Sequence, residues 1–345
     1  MFLGQCITLD FNGIHKTMTG FKRLLISGSL AVLMTQAAMA SQSTVDAALK
    51  AGKLTQAINE YKSLESRDSQ SITGQLLWAR ILLAQDKTEK AYDLMEPLIK
   101  QAPNNVDLQF RFGQSAMIMA QKASIFSKLG YAKDGVKAWE AALKIDANHK
   151  DTLNGLIGFH RFAPGMAGGD IDQALEYAKH LQKIDGAAGT ASLVGVYQSM
   201  DKKNLALQEL NEGIKRYSDS SRLLFIRAMK HINDEEWNLA HKDLTDALTH
   251  AADDMEKSNA LYQLAKVAVK SGKNVKQAID HVTQLMSIEE HRYPQWGNLR
   301  LAQLYVADDD LLKANSTLKL VDDSDDDDLE DEVKRLKKRI KKLSK

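Results

Sequence analysis

A chain of 345 residues with 44% apolar and 26% charged side chains has the composition of a folded globular protein, which excludes disordered and fibrous classes. Its formal net charge of +1 leaves no electrostatic footprint for nucleic acid. The single cysteine, Cys6, lies ahead of the first segment with export character, so the chain beyond it has no disulfide, thiolate metal site or thiol nucleophile.

In chain order, Lys22-Arg23 precede an apolar run from Leu24 to Met34, and Ala38-Met39-Ala40 closes it. A positive start, a short apolar core and an Ala-x-Ala end are the three parts of a secretory signal peptide. The expectation is initiation at Met18, cleavage after Ala40 and a mature, periplasmic chain starting at Ser41. The apolar run is too short for a spanning helix, and no later stretch is apolar enough for a transmembrane anchor.

From there on, small residues recur at a nearly fixed period. Ala57 and Ala91 lie 34 residues apart, as do Ala206 and Ala240, and such a period marks a stacked-repeat protein. Ala91 is followed by Met95, Leu98 and Pro103, and the same frame gives Gly135, Trp139 and Ala142. Ala174, Ala278 and Ala314 anchor further units, with Ala178, Val282 and Leu318 four residues on. This spacing is one face of a helix packed closely on a neighbour. The helix before it carries its own stripe, as in Phe112-Gly113-Ala116 or Leu224-Ala228. Turn residues separate the two at Gly52, Asp86, Asp201, Asn233-Asp234, Gly272 and Asp308-Asp309.

These residues resemble the tetratricopeptide repeat (TPR): Phe112-Gly113 matches its Leu-Gly pair, and Ala91, Met95, Leu98 and Pro103 match its second helix. The resemblance spans most of Ser41–Leu320 in about eight degenerate units. It implies an all-α superhelical solenoid whose concave groove is lined by the first helix of each unit. The stretch Phe112–Asp185, in particular Lys122–Leu143 and Gly158–Leu175, also resembles a group of bacterial exported TPR proteins without an assigned activity. In the repeat frame Arg80, Gln114 and Met117, then Phe225, Met229 and Ile232, face the groove as partner-binding candidates. Mixed methionine and aromatic surface suits a protein or peptide partner.

Two segments depart from the repeat. Gln121–Gly130 lengthens one unit by about ten residues, which extends both helices of that pair. In Phe159–Asp170, Pro164 stops a helix, the glycines allow a tight return, and Asp170 with Gln173 reads as a capping box for the next helix. The segment lacks the Lys-Ser/Thr of a phosphate loop. It reads either as a structural turn or as a contact site using His160 and Arg161, the latter serving a small ligand or an envelope polymer together with the extended third unit.

Catalytic signals are missing from the sequence. The nine histidines are scattered without metal spacing, and Glu289-Glu290-His291 reads as solvated surface. Asp308–Asp310 and Asp322–Asp328 lack the ligand alternation of a calcium loop, and there is no Gly-x-Ser-x-Gly elbow. The reading is a nonenzymatic chain without metal or cofactor. The tail, residues 321–345, carries nine acidic residues from Asp322 to Glu332 and eight basic ones from Lys334 to Lys345. Leu329, Val333, Leu336, Ile340 and Leu343 form a short heptad stripe. That helix has three readings: a cap on the last repeat, a self-association seam, or a weak contact with envelope lipids through its basic face. The sequence thus points to a scaffold or adaptor holding a polypeptide in the cell envelope.

Overall fold

The structure is a computed structural model that describes residues 44–49, 51–64, 66–288, 293–321 and 326–345. The signal segment, Cys6, Ser41, Glu289–His291 and Asp322–Asp325 lie outside these residues. Among the described residues there is helix and turn and no strand. The architecture is an all-α helical-repeat solenoid, and contacts divide it into two compact units, one ending at Tyr131 and the other starting at Ala132.

The first unit holds α1 (44–49), α2 (Leu54–Lys62), α3 (Ser66–Ser69), α4 (Ile72–Ala84), α5 (Thr88–Gln101) and α6 (Val106–Lys122). Helix α7 (Ile125–Ile145) spans the division. The second unit continues with α8 (Lys150–Phe162), a 3-10 turn at Gly165–Ala167, α9 (Ile171–Ile184) and α10 (Gly186–Ser199). Then come α11 (Lys203–Arg216), α12 (Ser221–Asn233), α13 (Trp237–Thr249), α14 (Asp254–Ser271), α15 (Val275–Ser287), α16 (Pro294–Ala307), α17 (Leu311–Leu318) and α18 (Asp327–Leu343). The ten extra residues of the long unit enter as helix: α6 and α7 run 17 and 21 residues.

One turn recurs inside the hairpins. A residue in the left-handed region, Gly52, Asp86, Asp201, Glu235 or Asp309, reverses the chain after the first helix. The next N–H then reaches back to a carbonyl of that helix: Lys53 to Ala48, Lys87 to Leu82, Lys202 to Tyr197, Glu236 to His231 and Asp310 to Tyr305. This satisfies helix-end carbonyls that would otherwise be orphaned. The reversal expected at Asn233-Asp234 falls on Glu235 instead. Helix α12 runs through Asn233, and Asp234 keeps a negative φ as its cap.

The periodic small residues mark where the helices of a pair cross. Ala57 is enclosed by Leu77 and Ile81, Ala206 packs with Val194 and Leu223, and Ala240 with Ala228 and Leu264. Ala278 meets Ala268 and Leu304, and Ala314 meets Leu299 and Ala302. Between α12 and α13 the pair is also pinned electrostatically. Arg227 donates from Nε and Nη2 to the two carboxylate oxygens of buried Asp243, at 2.6 and 2.7 Å.

Helix α18 lies on the last hairpin. Leu329, Val333, Leu336 and Ile340 are buried with Leu299, Ala302, Val306 and Leu318, so the heptad stripe is consumed within the chain except for its last member, Leu343, which is 51% exposed. Arg300, its side chain 5% exposed, fastens the helix by donating to Glu332 at 2.5 and 3.3 Å, and Gln303 adds a third donor at 2.9 Å. Burial pushes the Glu332 carboxyl up, but these donors and the Arg300 charge outweigh it and hold the group below its usual range.

This packing can be probed at two points. Ala240→Leu forces three extra carbons between α12 and α13 and lowers stability by about 1–3 kcal/mol in urea unfolding. Glu332→Gln leaves Arg300 buried without its counterion and costs about 2–3 kcal/mol at pH 7, less than the roughly 3–5 kcal/mol of a fully buried pair because Glu332 keeps 30% exposure. Because its folded pKa is depressed, the Glu332 contribution is full above the unfolded value of about 4.5 and is lost as pH falls through the folded one. The gap in melting temperature between wild type and Glu332→Gln therefore narrows below about pH 4.5.

Candidate functional site

In the second unit, α10, α11 and α12 enclose an open cleft of about 650 Å³. Its shape follows from how α12 divides its side chains. Leu224, Ala228 and Ile232 take one stripe into the core, which places Phe225, Ile226 and Met229 half-buried along the next. Facing them on α11, Ala206 and Leu210 are buried while Leu207 stands off that stripe, 38% exposed. Val194 of α10 closes the floor, and Gln198, Lys203 and Asn233 stand at the rim. Lys230 and Asp234, also at the rim, neutralise each other as an i,i+4 pair. The result is an apolar floor with polar edges and little net charge, which suits apolar side chains attached to a polar backbone.

The candidates named by the repeat frame are divided by this geometry. Phe225 and Met229 line the cleft. Ile232 does not: it is buried with Ala228, Ala240 and Leu244, because it sits a turn beyond Ala228 on the core stripe. In the first unit Arg80 is occupied by an ion pair to Asp46, so it is a strut of the α1–α4 packing and not an unengaged cation. Gln114 accepts from Arg111 at 3.3 Å, and Met117 is half-buried. The frame missed Leu207, Ile226 and Val194. The signal for Leu207 was an apolar residue beside the core Ala206, off the stripe that the crossing fixes.

Of the two readings of the Phe159–Asp170 segment, the packing of its first side chains favours the structural turn. His160 is only 5% exposed and lies parallel to the Tyr177 ring at 5.9 Å. Burial lowers its pKa, with Asp170 and the Gly168 backbone opposing the shift. Arg161 is half-buried, donates from Nε to the Ser199 hydroxyl at 3.3 Å, and fills space above Gly195 that a Cβ would occupy. Burial depresses its pKa as well. As contact residues for a ligand these two are a correction: both are taken up in packing α8 against its neighbours. Phe162 and Met166, 74% and 87% exposed, are what the segment presents to solvent. Asp170 caps α9 through the N–H groups of Asp172 and Gln173, at 3.0 and 3.2 Å. The Gln173 amide bonds the Asp170 carboxylate, so the reciprocal half of the capping box is not formed.

Among the described residues no group of three His, Cys, Asp or Glu is placed to hold a metal ion, and no helix is long and apolar enough to cross a membrane. No protein-family profile matches the chain, and no curated protein matches it in sequence. Solved structures do. Yeast Tom70 superimposes with a TM-score of 0.51 at 12% identity, covering 82% of this chain and 65% of its own. The thermophilic TPR protein TTC0263 of Thermus thermophilus gives 0.44 at 13%, covering 52% and 90%. Pseudomonas aeruginosa PilF gives 0.41 at 17%, covering 56% and 93%. The Tom70 superposition and the helix-turn-helix repeat of the chain itself show a TPR-like solenoid fold.

The glycines of the Phe159–Asp170 turn give a direct test. Gly168 has φ +96, and a Cβ on Gly169 would lie 1.8 Å from the Ala163 carbonyl oxygen. The double substitution Gly168→Val/Gly169→Val lowers unfolding free energy by about 2–4 kcal/mol, read by urea denaturation.

Proposed function

We propose that this protein is a noncatalytic TPR-type scaffold of the bacterial cell envelope that binds a polypeptide through the α10–α12 cleft. The cleft carries the reading: Phe225, Ile226, Met229 and Leu207 offer adjacent apolar contacts, and the rim offers hydrogen-bonding groups to a backbone. An amphipathic helix or extended segment can seat apolar side chains there without burying an unpaired charge. Methionine and leucine, which adapt their shape cheaply, suit a surface that accommodates a chain and not a single rigid ligand.

The location rests on sequence. Lys22-Arg23, the Leu24–Met34 run and Ala38–Ala40 support export and cleavage ahead of a periplasmic 41–320 repeat domain and a 321–345 cap helix. The resemblance of Phe112–Asp185 to exported bacterial TPR proteins supports the same compartment. The exposed lysines of α18 add a weak contact with anionic envelope lipids.

The test is affinity capture with the 41–345 chain from envelope extract, beside Leu207→Ala/Met229→Ala. A stoichiometric polypeptide is expected on wild type. The variant, with an unchanged far-ultraviolet spectrum, binds it about 30-fold more weakly, corresponding to about 2 kcal/mol from two interface truncations. Equal capture by both chains, or recovery of a glycan or small molecule with no polypeptide, overturns the reading.

A further inference from the structure

Where α18 meets the end of the α14–α15 hairpin, a second cavity of about 310 Å³ opens, and its walls are basic. On α18, Glu332, Arg335, Leu336 and Arg339 fall at helical spacings of i, i+3, i+4 and i+7, one continuous face. Lys270, in the last turn of α14, comes from the opposite wall. Glu332 is the single carboxylate of the lining, and its charge is already matched by the buried Arg300 beneath it. Among the described residues Lys270, Arg335 and Arg339 thus outnumber the anions near them, which are Glu332, shared with Arg300 and felt by Lys270, and Asp331, 3.9 Å from Arg335.

We propose that this cavity binds the phosphate of a lipid headgroup, docking the end of α18 side-on against an anionic membrane surface. Two features favour a headgroup over an acidic peptide. Two arginines and a lysine supply the forked and point-charge donors that phosphate oxygens accept. The exposed Lys338 and Lys342, at i+3 and i+7 from Arg335, continue this basic face along the helix, as a flat anionic surface demands. The apolar stripe of α18 is buried on α16 and α17, so the contact is electrostatic and does not insert the helix. The inference draws on the proposed envelope location only for access to lipid; the polypeptide cleft plays no part in it.

The test uses the 41–345 chain, which contains every described residue, and vesicle co-sedimentation. Phosphatidylglycerol vesicles are the probe, phosphatidylcholine vesicles the neutral control and inorganic phosphate the free-anion competitor. Wild type binds the anionic vesicles, and about 0.5 M salt releases it. Lys270→Gln/Arg335→Gln/Arg339→Gln removes three charges at the cavity, and Lys334→Gln/Lys337→Gln/Lys341→Gln removes three exposed ones on the opposite flank of the helix. With both variants folded by circular dichroism, the cavity variant binds at least tenfold more weakly than the opposite-flank one. Equal losses would mean diffuse attraction and overturn the site. Absence of wild-type binding, displacement by millimolar phosphate, or tighter binding of a poly-glutamate peptide would overturn the membrane surface as its occupant. Polypeptide capture by the cavity variant is expected to stay intact, so failure here is distinct from failure of the cleft.

Discussion

Where the second helix of a hairpin crosses its partners, a single methyl group sets the distance between backbones. Ala57, Ala91, Ala174, Ala240 and Ala314 are wholly buried, and Ala206 and Ala278 nearly so. A larger side chain at these points would lift one helix off the other and open voids along the whole seam, since interiors are packed as densely as organic crystals. The leucines and valines around each alanine can reach across only because the alanine lets them. Each hairpin is therefore an incomplete object that buries its faces on its neighbours, and within each unit stability is a chain of such local contacts.

That constraint also explains where a binding surface arises. A helix of a repeat has a core stripe fixed by the crossing and a remainder that is unconstrained. On α12 the remainder is Phe225, Ile226 and Met229, and on α11 it is Leu207. Phe225, Ile226 and Met229 pack part of their surface against the neighbouring cores, and the part left in solvent costs about 25 cal/mol per Å² of apolar surface. Exposed apolar groups gathered on one concave surface are best accounted for by an occupant that covers them. At the carboxyl end the opposite solution holds: α18 spends its apolar stripe on the last hairpin, and Arg300 and Glu332 fix its register.

Much of the architecture was legible in the chain itself. The alanine period located the crossings, and Gly52, Asp86, Asp201 and Asp309 were recognisable as turns because glycine and aspartate tolerate left-handed backbone. Glu235 was not, since glutamate carries no such signal and adopts that conformation only because α12 and α13 leave it no alternative. Side-chain direction was harder. His160 and Arg161 look like surface chemistry beside a glycine-rich segment, yet His160 falls on the α8 stripe of Leu153, Leu156 and Ile157 and is buried with it, while Phe162 and Met166 come out. Ile232 and Met229 are three residues apart, and their fates differ because the helix phase, not residue type, decides which is core. The basic cavity was illegible for a different reason: Lys270 and Arg339 are distant in sequence and meet only when α18 docks.

The central claim, that the α10–α12 cleft holds a polypeptide, is tested most directly by site-specific photo-crosslinking in cells. A benzophenone side chain would replace Leu207 in the cleft or, as the control, Lys242 on the exposed face of α13. The account predicts one discrete, protease-sensitive adduct from position 207 and none from 242. Adducts of equal yield from both positions, or none from 207, would contradict it.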